Sequence, residues 1–274
     1  MPTVGVLRAG AAGTAVGACF LLLAGLTACG SGGEAEDASV RLPPRHAGFD
    51  YQIGGAYPPP SGVRIVTRDR TASPAPGLYN VCYVNAFQAQ PGERGTWPAD
   101  LLLRDGRGRV VVDRDWDEAL LDIRTSAKRR RVAARINRFV DGCADKGFDA
   151  VEPDNYDSYT RSRHLLTAND AVAFIALLSR HAHARHLAVA QKNTVELAGV
   201  RKKAGLDFAV AEECGAQDEC GAYARAFDDR VVVVEYTDSG LRKALAGFGG
   251  RLSIVRRDME VSTPGSAGYV REVR

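Results

Sequence analysis

The stretch GFDAVEPDN, residues 147–155, combines the features of a buried strand with those of a chemical site. Its first half is mostly apolar, as in a strand that is covered on both faces of a sheet. Its second half is polar and contains Glu152, Asp154 and Asn155. Pro153 cannot donate a hydrogen bond to a neighbouring strand, so strand pairing should weaken there. We therefore interpret the stretch as a core strand whose end carries two carboxylates and an amide.

Seven further apolar runs predict strands, and helical patterns separate several of them. In chain order the eight predicted strands are residues 51–54, 63–68, 79–85, 148–154, 187–193, 208–214, 231–236 and 252–256. Helical patterns are clearest in residues 126–146, 167–185, 218–227 and 239–248, whereas residues 86–115 predict long loops and a hairpin at residues 101–112.

This order of elements predicts the fold class. Eight strand–helix units within residues 49–274 indicate a single-domain α/β protein of the (β/α)8 TIM-barrel class. A doubly wound open sheet is the alternative. It would usually have a glycine-rich phosphate loop after its first strand, and here Pro-Pro-Pro follows instead of a helix start.

The N-terminal residues have the layout of an export signal. Arg8 precedes an apolar run that is too short for a membrane span of about 20 residues. Leu-Thr-Ala-Cys at residues 26–29 resembles a bacterial lipobox, so we expect residues 1–28 to be a lipoprotein signal peptide and Cys29 to be lipidated. An ordinary signal peptide is the alternative. Residues 29–48 predict a flexible tether, and the protein is expected to be exported and anchored to the outer face of the cytoplasmic membrane.

Composition and motifs exclude several other functions. A formal net charge of +3 is too small to indicate nucleic-acid binding. The sequence has no P-loop, no dinucleotide fingerprint, no Cys-x-x-Cys and no His-Glu-x-x-His, so neither a cofactor nor a metal is expected. His181, His183 and His186 do not align on one helical face, and we interpret them as solvated.

Four cysteines in the predicted domain can form two disulfides. Cys214 and Cys220 are close in sequence and can close a small loop. Cys82 alternates away from the predicted inward face of its strand, and Cys143 lies on the apolar stripe of the helix before strand 148–154. The two side chains can therefore meet, which predicts Cys82–Cys143 and Cys214–Cys220.

Polar residues recur at the C-terminal ends of the predicted strands, where barrel enzymes have their active sites. Alternation places Glu152 and Asp154 on one face of their strand. It places Glu212 in phase with apolar residues and turns Glu213 away from the barrel mouth. The remaining candidates, which follow or end neighbouring strands, are Tyr83, Asn85, Asn155, Asp157, Lys192, Asn193 and Glu235.

These residues also carry a resemblance to a known family. GFDAVEPDNYDSY, LTANDAVAF, the KN of residues 192–193, DFAVAEECGAQDEC and VVVVEY resemble glycoside hydrolase family 114, whose named activity is endo-α-1,4-polygalactosaminidase. The resemblance covers about residues 140–240 in the right order. The second strand, VRIVTRDR, lacks the family's aspartates, and AEEC replaces its Asn-Glu-Gln-Cys.

The resemblance implies a barrel that cuts α-1,4-linked galactosamine polymers with Asp154 and Glu212 as its catalytic pair. General glycosidase chemistry agrees, because two carboxylates must flank the scissile bond. We expect Asp154 to be the nucleophile, Glu212 the general acid/base and the anomeric configuration to be retained. An acidic mouth would attract the cationic sugar.

Several alternatives remain open from the residues. Glu152 and Glu235 could anchor basic side chains, and Asp154 and Glu212 could be structural. Lys192 could contact sugar hydroxyls or only hold the carboxylates. A non-catalytic carbohydrate-binding lipoprotein on the same barrel is the alternative function.

Overall fold

The computed structural model describes residues 40–273. The predicted signal peptide, Cys29 and most of the predicted tether lie outside the described residues. Within the tether range, Arg41 forms an ion pair with Asp149 at 2.9 Å, and Arg45 forms another with Asp228. None of the helices in residues 40–273 is long and apolar enough to cross a membrane.

The described residues form twelve strands, of which most are short. In chain order they are β1 (Gly48–Gln52), β2 (Val63–Asp69), β3 (Tyr79–Asn85), β4 (Gln88–Ala89), β5 (Val112–Asp113), β6 (Glu118–Leu120), β7 (Ala150–Asp154), β8 (Ala188–Lys192), β9 (Phe208–Glu212), β10 (Val231–Glu235), β11 (Ser253–Arg257) and β12 (Arg271–Glu272).

Helices in the same residues lie mainly in the second half of the chain. The α-helices are α1 (Ser126–Lys146), α2 (Ser158–Arg161), α3 (Ala168–Ala184), α4 (Arg201–Ala204), α5 (Cys220–Phe227) and α6 (Asp238–Phe248). Short 3₁₀ helices span Arg94–Thr96, Ala99–Leu101 and Val195–Val200.

The main sheet is an α/β barrel. Strands β1, β2, β3, β7, β8, β9, β10 and β11 pair in this order and in parallel, and β12 pairs antiparallel with β11. Residues of β1 also contact residues of β11, so the sheet curls round on itself. The eight predicted strand positions are confirmed, with their ends shifted by at most three residues.

The first strands depart from regular strand–helix alternation, because no described helix follows β1 or β2. The reason lies on the outer face of β1, which is polar and offers no apolar surface to a helix. Asp50 and Gln52 are buried there, and Arg68 donates to Gln52 Oε1 at 2.9 Å. Asp50 Oδ1 lies 3.0 Å from Arg271 and 3.7 Å from the fully buried Arg257. C-terminal residues therefore cover this side of the barrel.

Two apolar clusters lie on opposite faces of the sheet. The cluster inside the barrel is formed by inward residues of successive strands, including Phe49, Ile65, Val81, Ala150, Ala190, Phe208, Val210 and Val234. The larger cluster lies between the strands and the helices. The predicted disulfide Cys82–Cys143 is confirmed and joins β3 to α1 in this outer layer. Cys214–Cys220 is confirmed as well.

The segment between β3 and α1 folds into a second, three-stranded sheet in the order β4-β6-β5. The predicted hairpin is present next to it, since the Val111 N–H donates to the Leu103 carbonyl at 2.8 Å. The sheet itself was not predicted. It brings residues 116–118 to the C-terminal end of the barrel.

Candidate active site

A cavity of about 610 Å³ opens at the C-terminal ends of the parallel strands. The strand residues in its wall continue the inward-facing alternation of the barrel core. Asp154 follows Ala150 and Glu152 in β7, Lys192 follows Ala190 in β8, and Glu212 follows Val210 in β9. The cavity is therefore the point at which the barrel interior changes from apolar to charged.

Lys192 is the centre of the charged layer. Its side chain is only 3% exposed, and its ammonium nitrogen lies 3.0 Å from Glu152 Oε1, 3.2 Å from Asp154 Oδ1 and 3.3 Å from Glu212 Oε2. Burial by itself would lower the pKa of Lys192, but Asp154 and Glu212 outweigh it and hold the pKa well above its usual value. Lys192 therefore stays charged and holds the carboxylates, one of the two alternatives that the sequence left open.

Asp154 is held in its ionised form. Tyr83 donates a hydrogen bond to Asp154 Oδ2 at 2.7 Å, while Lys192 contacts the other oxygen. Burial favours the neutral carboxyl, but the charge of Lys192 and the Tyr83 hydrogen bond outweigh it. The pKa of Asp154 is therefore held below its usual value.

Glu212 has a different set of partners. Asn193 donates to Glu212 Oε2 at 3.0 Å and its own Oδ1 accepts the Glu212 backbone N–H at 2.8 Å. Tyr236 donates to Glu212 Oε1. Both oxygens of Glu212 are thus oriented, and the side chain is 20% exposed to the cavity.

Glu152 lies beneath this layer rather than in the cavity wall. It is fully buried, and Tyr51 donates to its Oε1 at 2.7 Å. Burial raises the pKa of Glu152 to about 7, even though the charge of Lys192 acts in the opposite direction. Glu152 therefore holds Lys192, and a molecule in the cavity cannot touch it in this structure.

The other predicted substrate-binding residues divide into two groups. Asn155, Asp157 and Asn193 line the cavity together with Tyr83 and Lys192. Asn85 lies one step behind, where its Oδ1 accepts from Asn155 Nδ2 at 3.1 Å.

Glu235 lies outside the cavity, because it is on the outward face of β10. It is fully buried and accepts the Gly215 N–H at 2.6 Å. A Cβ on Gly240 would lie 2.1 Å from Glu235 Oε2, so this carboxylate packs tightly against the first turn of α6. The predicted role of Glu235 in binding substrate does not fit this position.

Glu213 corrects the expectation that only one of the paired glutamates reaches the mouth. β9 ends at Glu212, and Glu213 takes a left-handed conformation with φ 57°. Strand alternation no longer applies after that turn, and Glu213 lines the cavity as well.

Sequence reasoning missed several cavity residues. Tyr236 continues the inward phase of Val232 and Val234, but the valines of the other phase made Glu235 an equal candidate. Trp116 and Glu118 come from the small sheet, so no barrel-strand pattern points to them. Other residues in the wall that were not predicted include Asp69, Arg161, Glu196, Gln217, Glu219, Tyr223 and Met259.

The cavity wall is strongly acidic. Nine carboxylates but only two basic side chains are among the described residues that line it. Both basic side chains are paired, Lys192 as above and Arg161 with Asp113 and Asp157. The cavity therefore favours cationic ligands.

One group of potential metal ligands occurs within residues 40–273, formed by Cys214, Cys220 and Glu235. The two sulfurs are bonded to each other and offer no thiolate. The histidines are not clustered but are also not simply solvated. His181 contacts Asp141 and His183 contacts Asp207, each at 2.8 Å.

Comparisons with known proteins identify a family and structures of the same fold. The model of glycoside hydrolase family GH114 matches residues 31–273. The crystal structure of Aspergillus fumigatus Ega3 in complex with galactosamine is similar, with 22% identity, a TM-score of 0.69 and coverage of 82% of this chain and 96% of that one. A variant of the glycoside hydrolase domain of Pseudomonas aeruginosa PelA gives 14% identity, a TM-score of 0.58 and coverage of 81% and 98%. Curated protein sequences give no significant match.

Proposed function

Because the chain belongs to glycoside hydrolase family 114, we propose that it cleaves α-1,4-linked galactosamine polymers at internal bonds, with Asp154 and Glu212 as the reacting carboxylates. We also propose that the eight parallel strands form one (β/α)8-type barrel in which loops and the C-terminal segment replace the first helices.

The contact of one lysine with both carboxylates is the observation that carries the proposal. The nearest oxygens of Asp154 and Glu212 can be no farther apart than the sum of their distances to Lys192 Nζ, about 6.5 Å. Retaining glycosidases hold their carboxyl groups about 5–5.5 Å apart, and inverting enzymes about 6.5–9.5 Å. This limit on the nearest oxygens is compatible with the shorter separation of a retaining pair.

The mechanism has two balanced steps. Asp154 attacks the anomeric carbon as Glu212 gives its proton to the departing glycosidic oxygen, which leaves a glycosyl ester on Asp154. Glu212 then takes a proton from water, the water oxygen attacks the anomeric carbon, and Asp154 leaves as a carboxylate. Lys192 and Tyr83 keep Asp154 ionised for the first step. In a retaining pair one carboxyl is the nucleophile and the other transfers the proton, and we assign the second role to Glu212.

The acidic wall supports a cationic substrate. A deacetylated galactosamine residue carries one positive charge near neutral pH, and the cavity has an excess of carboxylates. That Ega3 has been determined with galactosamine supports the same sugar.

The test measures reducing ends released from de-N-acetylated galactosaminoglycan. Asp154→Asn and Glu212→Gln should each remove most turnover without loss of the fold, while Asp145→Asn, an exposed aspartate of α1, should not. Azide should rescue one variant, and the anomer of the glycosyl azide identifies the nucleophile. Near-wild-type turnover in both active-site variants would refute the assignment, and an inverted native product would refute retention alone.

A non-catalytic carbohydrate-binding protein is the second candidate. It is favoured by β2, which contributes a single carboxylate, Asp69, to the cavity. Binding of the polymer by wild-type protein without release of reducing ends would support it. For either function we propose that the protein is anchored through Cys29 at the outer face of the cytoplasmic membrane.

A further inference from the structure

The turn between β5 and β6 brings an unusual pair of side chains to the cavity. Trp116 lies in this turn and Glu118 begins β6, and both line the cavity wall. Trp116 is 55% exposed, whereas Trp97 is 5% exposed. A large aromatic side chain that stays open to a cavity is free to contact a bound molecule.

Glu118 is fixed in position by hydrogen bonds but forms no direct ion pair in the described part of the chain. Asn85 donates to its Oε2 at 2.7 Å and Asn155 donates to the same oxygen at 3.4 Å. Within residues 40–273, neither lysine nor arginine forms an ion pair with it, although only 9% of the residue is exposed. A desolvated carboxylate without a cation is costly. Burial, together with the charge of Asp154, raises the pKa of Glu118, although the Asn85 hydrogen bond and the charge of Arg161 act in the opposite direction.

The geometry points to a subsite for one cationic 2-amino sugar, formed by Trp116 and Glu118 beside Asp154. The sugar's ammonium group pairs with Glu118, and its ring face packs on Trp116. Tryptophan is the aromatic side chain that attracts cations most strongly, so both residues select for the same charge. The identity of the sugar rests on the proposed function, whereas the preference for a cation rests on these two side chains.

The subsite predicts that the protein binds deacetylated polymer in preference to acetylated polymer. An N-acetyl group carries no charge, so it would leave Glu118 unpaired beneath it. A hydrogen bond to a charged group contributes about 1.5–3 kcal/mol, which corresponds to a loss of about tenfold or more in affinity when the charge is removed.

The two tryptophans of the chain allow a direct test by fluorescence. De-N-acetylated and fully N-acetylated galactosamine tetrasaccharides are titrated into the full protein. The deacetylated one should change the emission of Trp116. Trp116→Phe should keep the emission of the buried Trp97 but lose most of the response, and Trp116→Tyr should retain binding when it is measured by calorimetry.

Glu118→Gln should weaken binding of the deacetylated tetrasaccharide about tenfold or more and leave the acetylated one nearly unchanged. Asp115→Asn, in the same turn, is the matched control and should bind like wild type. Circular dichroism establishes that each variant is folded. Equal affinity for the two sugars in wild type, or an unchanged preference in Glu118→Gln, would overturn the subsite.

The titration requires no turnover, so its result is independent of the cleavage assay. A protein that binds as described but does not cleave would support the subsite and refute the proposed function. A protein that cleaves the polymer, and whose Glu118→Gln variant keeps the wild-type preference, would support the proposed function and refute the subsite.

Discussion

The ammonium nitrogen of Lys192 lies 3.2 Å from Asp154 Oδ1, across two adjacent parallel strands of the barrel. The Lys192 side chain is almost inaccessible to solvent, with 3% of its surface exposed. A buried ion pair contributes little net stability, but removal of one partner leaves an uncompensated charge. The arrangement therefore sets the protonation state of Asp154 more than it stabilises the fold.

Replacement of Lys192 by methionine should abolish most activity. Without the cation, the pKa of Asp154 should rise, so the acid limb of kcat/KM should move to higher pH. We expect turnover to fall about 10²-fold or more, the usual effect of removing one electrostatic group from an active site. The measurement is a pH–rate profile, with the exposed Lys203→Met as control. An acid limb at the wild-type position would contradict this role.

Glu152→Gln should change how stability depends on pH. The folded pKa of Glu152, about 7, is above its usual value, so its contribution is fully present below about pH 4.5 and is lost as pH rises through 7. Relative to Glu152→Gln, wild type should lose up to about 3 kcal/mol of unfolding free energy between about pH 4.5 and 8. Urea unfolding across this range measures the difference. The exposed Glu260→Gln serves as control, and parallel curves for wild type and Glu152→Gln would show that Glu152 is ionised throughout.

The two disulfides should have different effects when removed. Cys82–Cys143 spans 61 residues and Cys214–Cys220 spans 6, so loop-closure entropy predicts costs of about 4 and about 2 kcal/mol. Double alanine variants, compared by denaturant unfolding, measure both. The shorter disulfide lies in the loop that supplies Glu213, Gln217 and Glu219 to the cavity. Its loss should therefore raise KM more than loss of the longer one. A larger stability cost for loss of Cys214–Cys220, together with a larger rise in KM for loss of Cys82–Cys143, would contradict these expectations.

Lipidation at Cys29 stays a prediction, because this residue lies outside the described part of the chain. Cys29→Ser should release the protein into the medium or leave an uncleaved precursor, since lipid chains provide the stable attachment. Membrane fractionation and the mass of the mature protein test this. A variant that stays with membranes at the processed wild-type mass would refute the prediction.

Sequence periodicity was sufficient to predict the positions of the barrel strands and most of the charged residues at their C-terminal ends. Asp154 and Glu212 continue the inward alternation of apolar residues, so their placement followed from strand phase. In β10 the sequence does not define which residues face inward, and there the prediction of cavity residues was wrong. The four valines of β10 fit either face, and the choice between Glu235 and Tyr236 depends on pairing with neighbouring strands.

Trp116 and Glu118 could not be predicted for a different reason. Their position depends on how the small sheet packs beside the barrel, and local spacing carries no information about that contact. The missing helix after β1 depends similarly on partners from the far end of the chain, such as Arg257 and Arg271. Both features come from tertiary contacts between distant segments.

Each disulfide joins cysteines that are consecutive in the chain, Cys82 with Cys143 and Cys214 with Cys220. If the chain is oxidised during export, with its N-terminus leading, Cys82 and Cys143 can pair before Cys214 is available. The predicted loss of Cys19 with the signal peptide and the predicted lipidation of Cys29 would remove the earlier thiols that could compete. Native pairing then requires no rearrangement of non-native disulfides, so oxidative folding can proceed without an isomerase.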